Sequence, residues 1–276
     1  MCCVVVPAGS ILVMANSTKG ESVVQRISRI LRVFDEDHQV LSATEVAQRA
    51  KLAMSTAHRM VISMVDEGLL TRTPDGKYRL GLVLWELAHR STVYQSFSAA
   101  ARPFLEGVHQ TLRKTVSLVI LDPADVSIIY LERLAMGQDD TDVSSLAGRL
   151  PVLSTAPGQV MLAFSPPHVQ EQYFSQAHND PGVVSQNLTR EDLEQRLLQV
   201  KNDGWAHVAE ILSAGSSGTA APIFGHRNRV IGAMALVRPI DEIHLNVQLP
   251  VLMAAARGLS QVMSQQPEQI QDFGLE

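Results

Sequence analysis

Residues 55 to 59 read Ser-Thr-Ala-His-Arg, which puts two hydroxyls, an imidazole and a guanidinium within five positions. Such a cluster could serve catalysis, hold a metal or phosphate, or present a surface that reads another polymer. Nucleophilic catalysis needs a hydroxyl and a base brought together and oriented by a third group. Metal binding needs His or Cys at fixed spacings. Neither pattern surrounds the cluster. The nine histidines are scattered, with no HExxH and no paired Cys/His spacing, and His168, His178 and His226 read as surface-loop residues. The stretch AGSSGTA at 214–220 lacks the G-x-S-x-G spacing of a nucleophile elbow, so Ser216 and Ser217 read as part of a loop. Asp139, Asp140 and Asp142 could approach a cation, but a full cage needs many oxygen ligands and a solvated loop is the plainer reading.

The elements that must position the cluster can be read from periodicity. In SVVQRISRILRVFD, Val23, Ile27, Ile30, Leu31 and Phe34 recur at helical spacing, which predicts a first amphipathic helix from Ser22 to Asp35. Ser42-Ala-Thr-Glu45 has the form of a capping box, so a short second helix runs to about Ala50. In the third helix Ala57, Met60, Val61, Met64 and Val65 form the buried stripe. At about 100° per residue the opposite face holds Ser55, Arg59, Ile62, Ser63 and Asp66, with Thr56 and His58 on its flanks. Gly68 closes the helix. Two short β-prone runs then flank Pro74-Asp75-Gly76, a turn set by the fixed φ of proline and the freedom of glycine.

Three helices followed by a hairpin within residues 21–80 have the connectivity of a winged helix-turn-helix. In that context the third helix enters the major groove by its first turns. Ser55 and Thr56 can donate to phosphates or bases, Arg59 can fork onto a guanine edge, and His58 adds a donor. Ser42 and Thr44 at the start of the second helix, with Arg72 and Lys77 on the hairpin, would hold the flanking backbone.

Composition fits this reading. The 276 residues suggest two domains, and 46% hydrophobic against 18% charged residues supports a sizeable core. The net charge of −5 excludes a polycation built to coat nucleic acid or an acidic membrane. It is unevenly spread, because residues 21–80 carry nine basic and eight acidic residues. The only cysteines, Cys2 and Cys3, are adjacent and cannot staple a fold, which suits a reducing, cytoplasmic setting. The opening MCCVVVPAGSILVMA is apolar but lacks a basic n-region, so residues 1–20 are read as a flexible arm.

Beyond Leu80, GLVLWELAHRSTVYQ predicts a further helix over 81–95, the connector of a linker assigned to 81–97. A second domain is expected over 98–265, with a tail over 266–276. In it the helix AARPFLEGVHQTLRK precedes the strands TVSLVIL and VSIIYLER. Ser154-Thr155-Ala156-Pro157-Gly158 then opens a helix, with proline where the first helical position falls. Thr189-Arg-Glu-Asp192 caps another helix that ends before Gly204, a second hairpin surrounds His226-Arg-Asn-Arg229, and a closing helix tolerates Pro250. Helices and antiparallel strands in blocks make the class α+β.

The run from VVQRISRILRVFDE through LSATEVAQRAKLAMSTAHRMVISMVDEGLLTRTPDGKYRLGLVLWELA resembles the winged helix-turn-helix of IclR-type bacterial transcriptional regulators. The likeness continues in ARPFLEGVHQTLRKTVSLVILDPADVSIIYLER, GRLPVLSTAPGQVMLAF and AAPIFGHRNRVIGAMALV, covering about residues 21–262. It implies a C-terminal GAF-like effector-binding domain, a linker helix, and a homodimer or homotetramer on double-stranded operator DNA, with no cofactor. The family's DNA contacts fall on Ser55, Thr56, His58 and Arg59, and Met54 stands where a basic residue often precedes the Ser-Thr pair.

The effector positions depart further. Members that bind small oxoacids use an acid, a cysteine and two serines, and the matching positions here are Val208, Gly218, Ala235 and Val237. Leu150 is retained, and Ser216 replaces an apolar residue. Ala156 and Gly158 keep a helix start that could offer N–H groups to a carboxylate, although Pro157 lacks one. With those anchors gone, the resemblance implies a mainly apolar pocket suited to an aromatic or otherwise hydrophobic metabolite. Alternatively His207, Asp142 or Glu210 supplies polarity from other positions. The expectation is a ligand-controlled repressor of a catabolic operon. The rival readings are a hydrolase-like enzyme, or a ligand-binding protein whose winged domain serves only assembly.

Overall fold

The computed structural model describes residues 21–35, 37–90, 92–135 and 148–266. The arm expected over 1–20, the Asp139, Asp140 and Asp142 cluster, and all but Gln266 of the expected tail lie outside them. The chain divides into two compact units, Met1–Ser91 and Thr92–Glu276.

In the first unit, helix α1 (Val23–Leu31) starts at a Ser22–Gln25 capping box, and α2 (Ala43–Arg49) starts at the Ser42–Glu45 box foreseen from sequence. Helix α1 is shorter than expected and ends at Leu31, and Val23 is 63% exposed rather than part of the buried stripe. Helix α3 (Met54–Asp66) buries Ala57, Val61 and Met64. It stops where Gly68 adopts φ +71, and a Cβ there would come within 2.8 Å of the Val83 side chain. Strands β1 (Leu70–Arg72) and β2 (Tyr78–Leu80) pair antiparallel, and Leu41 bridges to Tyr78. Ile30, Leu41, Val46, Ala50, Val61, Met64, Leu70 and Tyr78 make one core, so α3 and the hairpin share a base. Helix α4 (Leu82–Arg90) follows.

The helix predicted over 81–95 falls on α4 and on the start of α5 (Thr92–Leu112), with residue 91 outside the described residues. Helix α5 runs well past Gln95 because its far side packs into the second unit. Phe97, Ala101, Leu105 and Val108 are buried at spacings of four, four and three in the second core, which claims the residues before Ala99 and tolerates Pro103.

The second unit is built on an antiparallel sheet of six strands. These are β3 (Thr115–Asp122), β4 (Ser127–Leu134), β5 (Arg149–Leu150), β6 (Ala206–Ala209), β7 (Ser216–Phe224) and β8 (Val230–Pro239), in the order β5-β4-β3-β8-β7-β6. Period-two alternation splits the strands between two cores. Val116, Leu118, Ile120, Met234 and Leu236 pack with α5 and α10 (Leu245–Ser264). Val119, Leu121, Ala233 and Ala235 pack with α6 (Ala156–Phe164), α7 (Pro167–Gln176) and α9 (Arg190–Asp203). The short α8 (Pro181–Gln186) precedes α9, whose Thr189–Asp192 capping box and Gly204 terminus match the sequence reading. Helix α6 starts one residue earlier than expected, with Thr155 as N-cap, so Pro157 is the second helical residue. Ser216 and Ser217 open strand β7 instead of lying in a loop.

Candidate nucleic-acid interface and effector cavity

On α3 the structure places Ser55, His58 and Arg59 on the exposed face, with Thr56 half-buried beside Ala57. Met54 and Ile62 complete this face at 47% and 44% exposure. Arg59 forms no ion pair among the described residues. The helix start is chemically distinctive. Helices α1 and α2 each carry a side-chain cap, but the N-cap of α3 is Ala53, which has no side-chain acceptor. The Ala53 carbonyl accepts the Thr56 and Ala57 N–H groups, which leaves those of Met54 and Ser55 for an external acceptor. Together with the helix dipole, these free donors suit a phosphate oxygen. A side chain count misses them, because the signal is the absence of Ser, Thr, Asp or Asn at position 53.

The wing presents Arg72 and Lys77 in the open. Its turn is fastened by Thr73 N–H donating to Lys77 O at 2.9 Å and the Thr73 hydroxyl donating to Asp75 at 2.5 Å. That hydroxyl holds the Asp75 carboxyl below its usual range, and Asp75 also lies 3.8 Å from the Lys77 ammonium. Thr44 is exposed on α2. Ser42 is differently employed: its hydroxyl donates to Glu45 Oε2 at 2.7 Å and accepts from the Glu45 N–H.

In the second unit, Leu150, Ala156, Val208, Ser216, Gly218, Ala235 and Val237 all line one cavity of about 60 Å³. Gly158 is not in its wall. Gly158 is buried inside α6, its N–H donates to the Thr155 hydroxyl at 3.1 Å, and any Cβ would strike the Val152 carbonyl. Asp142 lies outside the described residues. His207 points to the other face of β6, as its neighbour Val208 faces the cavity.

The sequence reading missed Tyr130, Ser154, Thr155, Ile211, Leu212 and Ser213, which also line the cavity, while Glu210 was an open alternative and does so. Residues 210–213 carry no periodic signal. They turn over the cavity because Glu210 adopts φ +56, and its carboxylate accepts the Gly215 N–H at 3.2 Å.

Two buried polar clusters fix the wall. Asp180 accepts from Leu153 N–H at 2.8 Å, the Ser154 hydroxyl at 2.5 Å, Gly182 N–H at 2.9 Å and the Tyr173 hydroxyl at 3.1 Å. Burial and the Asp180 charge push the Tyr173 phenol up, so it remains a donor. This carboxylate clamps the 152–155 turn that starts α6. On the far edge Arg149 donates to Asp122 at 2.6 Å and to Asp125 at 2.7 Å, anchoring β5 beside Leu150.

Behind the cavity, on the opposite face of the sheet, Arg238 is wholly buried and donates to Thr219 Oγ1 at 2.9 Å, which in turn lies 3.0 Å from His207 Nδ1. The guanidinium Nε and Nη1 have no hydrogen-bond partner among the described residues. Burial pushes Arg238 down to about 10. Burial, reinforced by the Arg238 charge, lowers His207 and keeps its imidazole neutral.

Comparison with known proteins adds the lineage. Residues 89–264 match the model described as bacterial transcriptional regulator IclR C-terminal, and residues 23–74 match the IclR helix-turn-helix domain. The chain is 28% identical to the HTH-type transcriptional regulator XynR of Escherichia coli K12 over 214 residues, covering 77% of this chain and 84% of that one. It is 25% identical to the Pca operon regulatory protein of Acinetobacter baylyi over 268 residues, covering 91% and 95%. Among solved structures, an IclR homolog from Microbacterium hydrocarbonoxydans complexed with 4-hydroxybenzoate superposes with a TM-score of 0.75 at 31% identity, covering 89% of this chain and all of that one.

Proposed function

Because this chain belongs to the IclR family of transcriptional regulators, with a helix-turn-helix DNA-binding domain and a C-terminal effector-binding domain, we propose that it represses a catabolic operon until a small, largely apolar ring compound enters the cavity. The single observation that carries this reading is the cavity wall. Leu150, Ala156, Val208, Gly218, Ala235 and Val237 leave little there to bind an oxoacid, and apolar walls with few polar groups favour a ring. A relative at 31% identity was solved with 4-hydroxybenzoate bound, which supports the same ligand class.

DNA binding falls to residues 21–80, with Arg59, His58, Ser55 and Thr56 reading the groove. Thr44, Arg72, Lys77 and the Met54 and Ser55 N–H groups hold the backbone. The Ser42 hydroxyl, tied to Glu45, contributes by fixing the start of α2. The stretch 81–97 transmits the ligand state, although Phe97 already belongs to the second core. Residues 98–265 bind the effector.

A symmetric homodimer or homotetramer places paired α3 helices on a palindromic double-stranded operator. The effector shifts the population away from the DNA-competent arrangement by binding the other state more tightly. The protein works in the cytoplasm and has no catalytic role of its own. No helix among the described residues is long and apolar enough to cross a membrane. Footprinting on the DNA flanking the gene tests the reading. A protected palindrome that is lost on adding 4-hydroxybenzoate or a neutral ring analogue is expected, and protection indifferent to every ring compound contradicts ligand control of this kind.

A further inference from the structure

The cavity has a charge character that its apolar walls do not reveal. Among the described lining residues the single carboxylate is Glu210, and no Lys, Arg or His is present. The nearest buried guanidinium, Arg238, serves the opposite face of the sheet through Thr219.

The start of α6 does not supply the missing positive charge. Pro157 has no N–H. The Gly158 N–H is taken by the Thr155 hydroxyl and the Gln159 N–H by the Thr155 carbonyl, at 3.1 Å each. Only the Ala156 N–H remains for a ligand at this end. The Ser154 hydroxyl is already committed to Asp180, so Ser213 and Ser216 on the rim are left as neutral partners.

Resting on the apolar-ring reading above, we infer that Glu210 makes this a site for uncharged, donor-bearing ring compounds, and that it selects against the corresponding carboxylates. The Glu210 carboxylate is held at the rim by its left-handed backbone and by the Gly215 N–H. One of its two oxygens can therefore accept from an amide, phenol or similar donor on the ligand while the other keeps the turn closed. A ligand carboxylate in the same place would face a like charge, with only neutral N–H and hydroxyl groups and no cation among the described lining residues to offset it. At a solvent-screened rim such a repulsion is worth about a fivefold change in Kd.

The test is calorimetric titration of the full-length protein at pH 7 with 4-hydroxybenzamide and with 4-hydroxybenzoate, which share ring and phenol and differ in charge. The amide is expected to bind about fivefold more tightly, and Glu210→Gln, which keeps an acceptor for Gly215, is expected to bring the two within about twofold. Equal or tighter binding of the acid by the wild-type protein, or a ratio unmoved by Glu210→Gln, overturns the role of Glu210 alone. If neither compound binds, the ring reading itself falls and this inference with it.

Discussion

Gly218 on β7 faces Ala156 on α6 across the cavity, and a Cβ placed on Gly218 would stand 3.7 Å from the Ala156 Cβ, in ordinary van der Waals contact. The cavity is thus space that a missing side chain leaves open. Gly218 lies in an extended strand, so larger residues meet no backbone penalty there. Gly218→Val should fill the site and keep the fold. A ring compound at 100 times its Kd adds about 2.7 kcal/mol to wild-type stability, and thermal unfolding of the variant should show none of that gain. A full ligand shift in Gly218→Val would place the effector elsewhere.

Arg59 is exposed on α3 and forms no ion pair among the described residues, and it is proposed to fork onto a guanine edge. Arg59→Ala should weaken specific operator binding by about 1–3 kcal/mol and relax one base preference. Arg72→Ala should weaken all sequences alike and lower the salt slope by about 1. Binding-site selection at several salt concentrations separates the two behaviours.

Asp180 is buried and accepts four hydrogen bonds, two from the turn that starts α6, one from Tyr173 and one from the Gly182 N–H of α8. Asp180→Ala strands the Leu153 N–H and the Tyr173 hydroxyl, at a cost of about 3 kcal/mol. Asp180→Asn keeps one acceptor and should fall between the variant and wild type. Urea unfolding measures both, and a neutral Asp180→Ala would show that the clamp is dispensable.

His207 is held neutral by burial and by the Arg238 charge beyond Thr219. Its folded pKa is lowered, so the unfolded chain binds the proton more readily. The stabilisation is complete above the unfolded value of about 6.5 and is lost as pH falls through that value toward the folded one. His207→Gln should flatten the decline of melting temperature between about pH 7 and pH 5. An identical acid limb in the variant would mean that His207 does not report its burial to stability.

Local signals explain which parts of this molecule could be read in advance. The Ser42–Glu45 and Thr189–Asp192 boxes and the Ala57, Val61, Met64 stripe depend on neighbours within one or two turns, so α2, α3 and α9 appear in the sequence. Helices α7 and α8 were not foreseen. The first begins at Pro167 directly after Pro166 and buries only Val169 and Tyr173, and the second has six residues. The cavity was half legible. Gly218 and Ser216, like Ala235 and Val237, sit two apart on one strand and so share a face, whereas nothing local decides whether His207 or its neighbour Val208 looks inward. That choice is made by Thr219 and Arg238 on neighbouring strands, and the closing turn at Glu210 depends on a left-handed residue that composition does not announce.

Ligand occupancy of this cavity is proposed to control DNA binding. Fluorescence anisotropy of a labelled operator duplex, titrated with wild-type protein and with Gly218→Val in the presence and absence of 4-hydroxybenzamide, tests it most directly. Equal operator affinity is expected for both proteins without ligand, with release by ligand from the wild type alone. Ligand-driven release from Gly218→Val equal to that from wild type, or operator binding by the wild type that ignores a ligand shown to occupy the cavity, would contradict it.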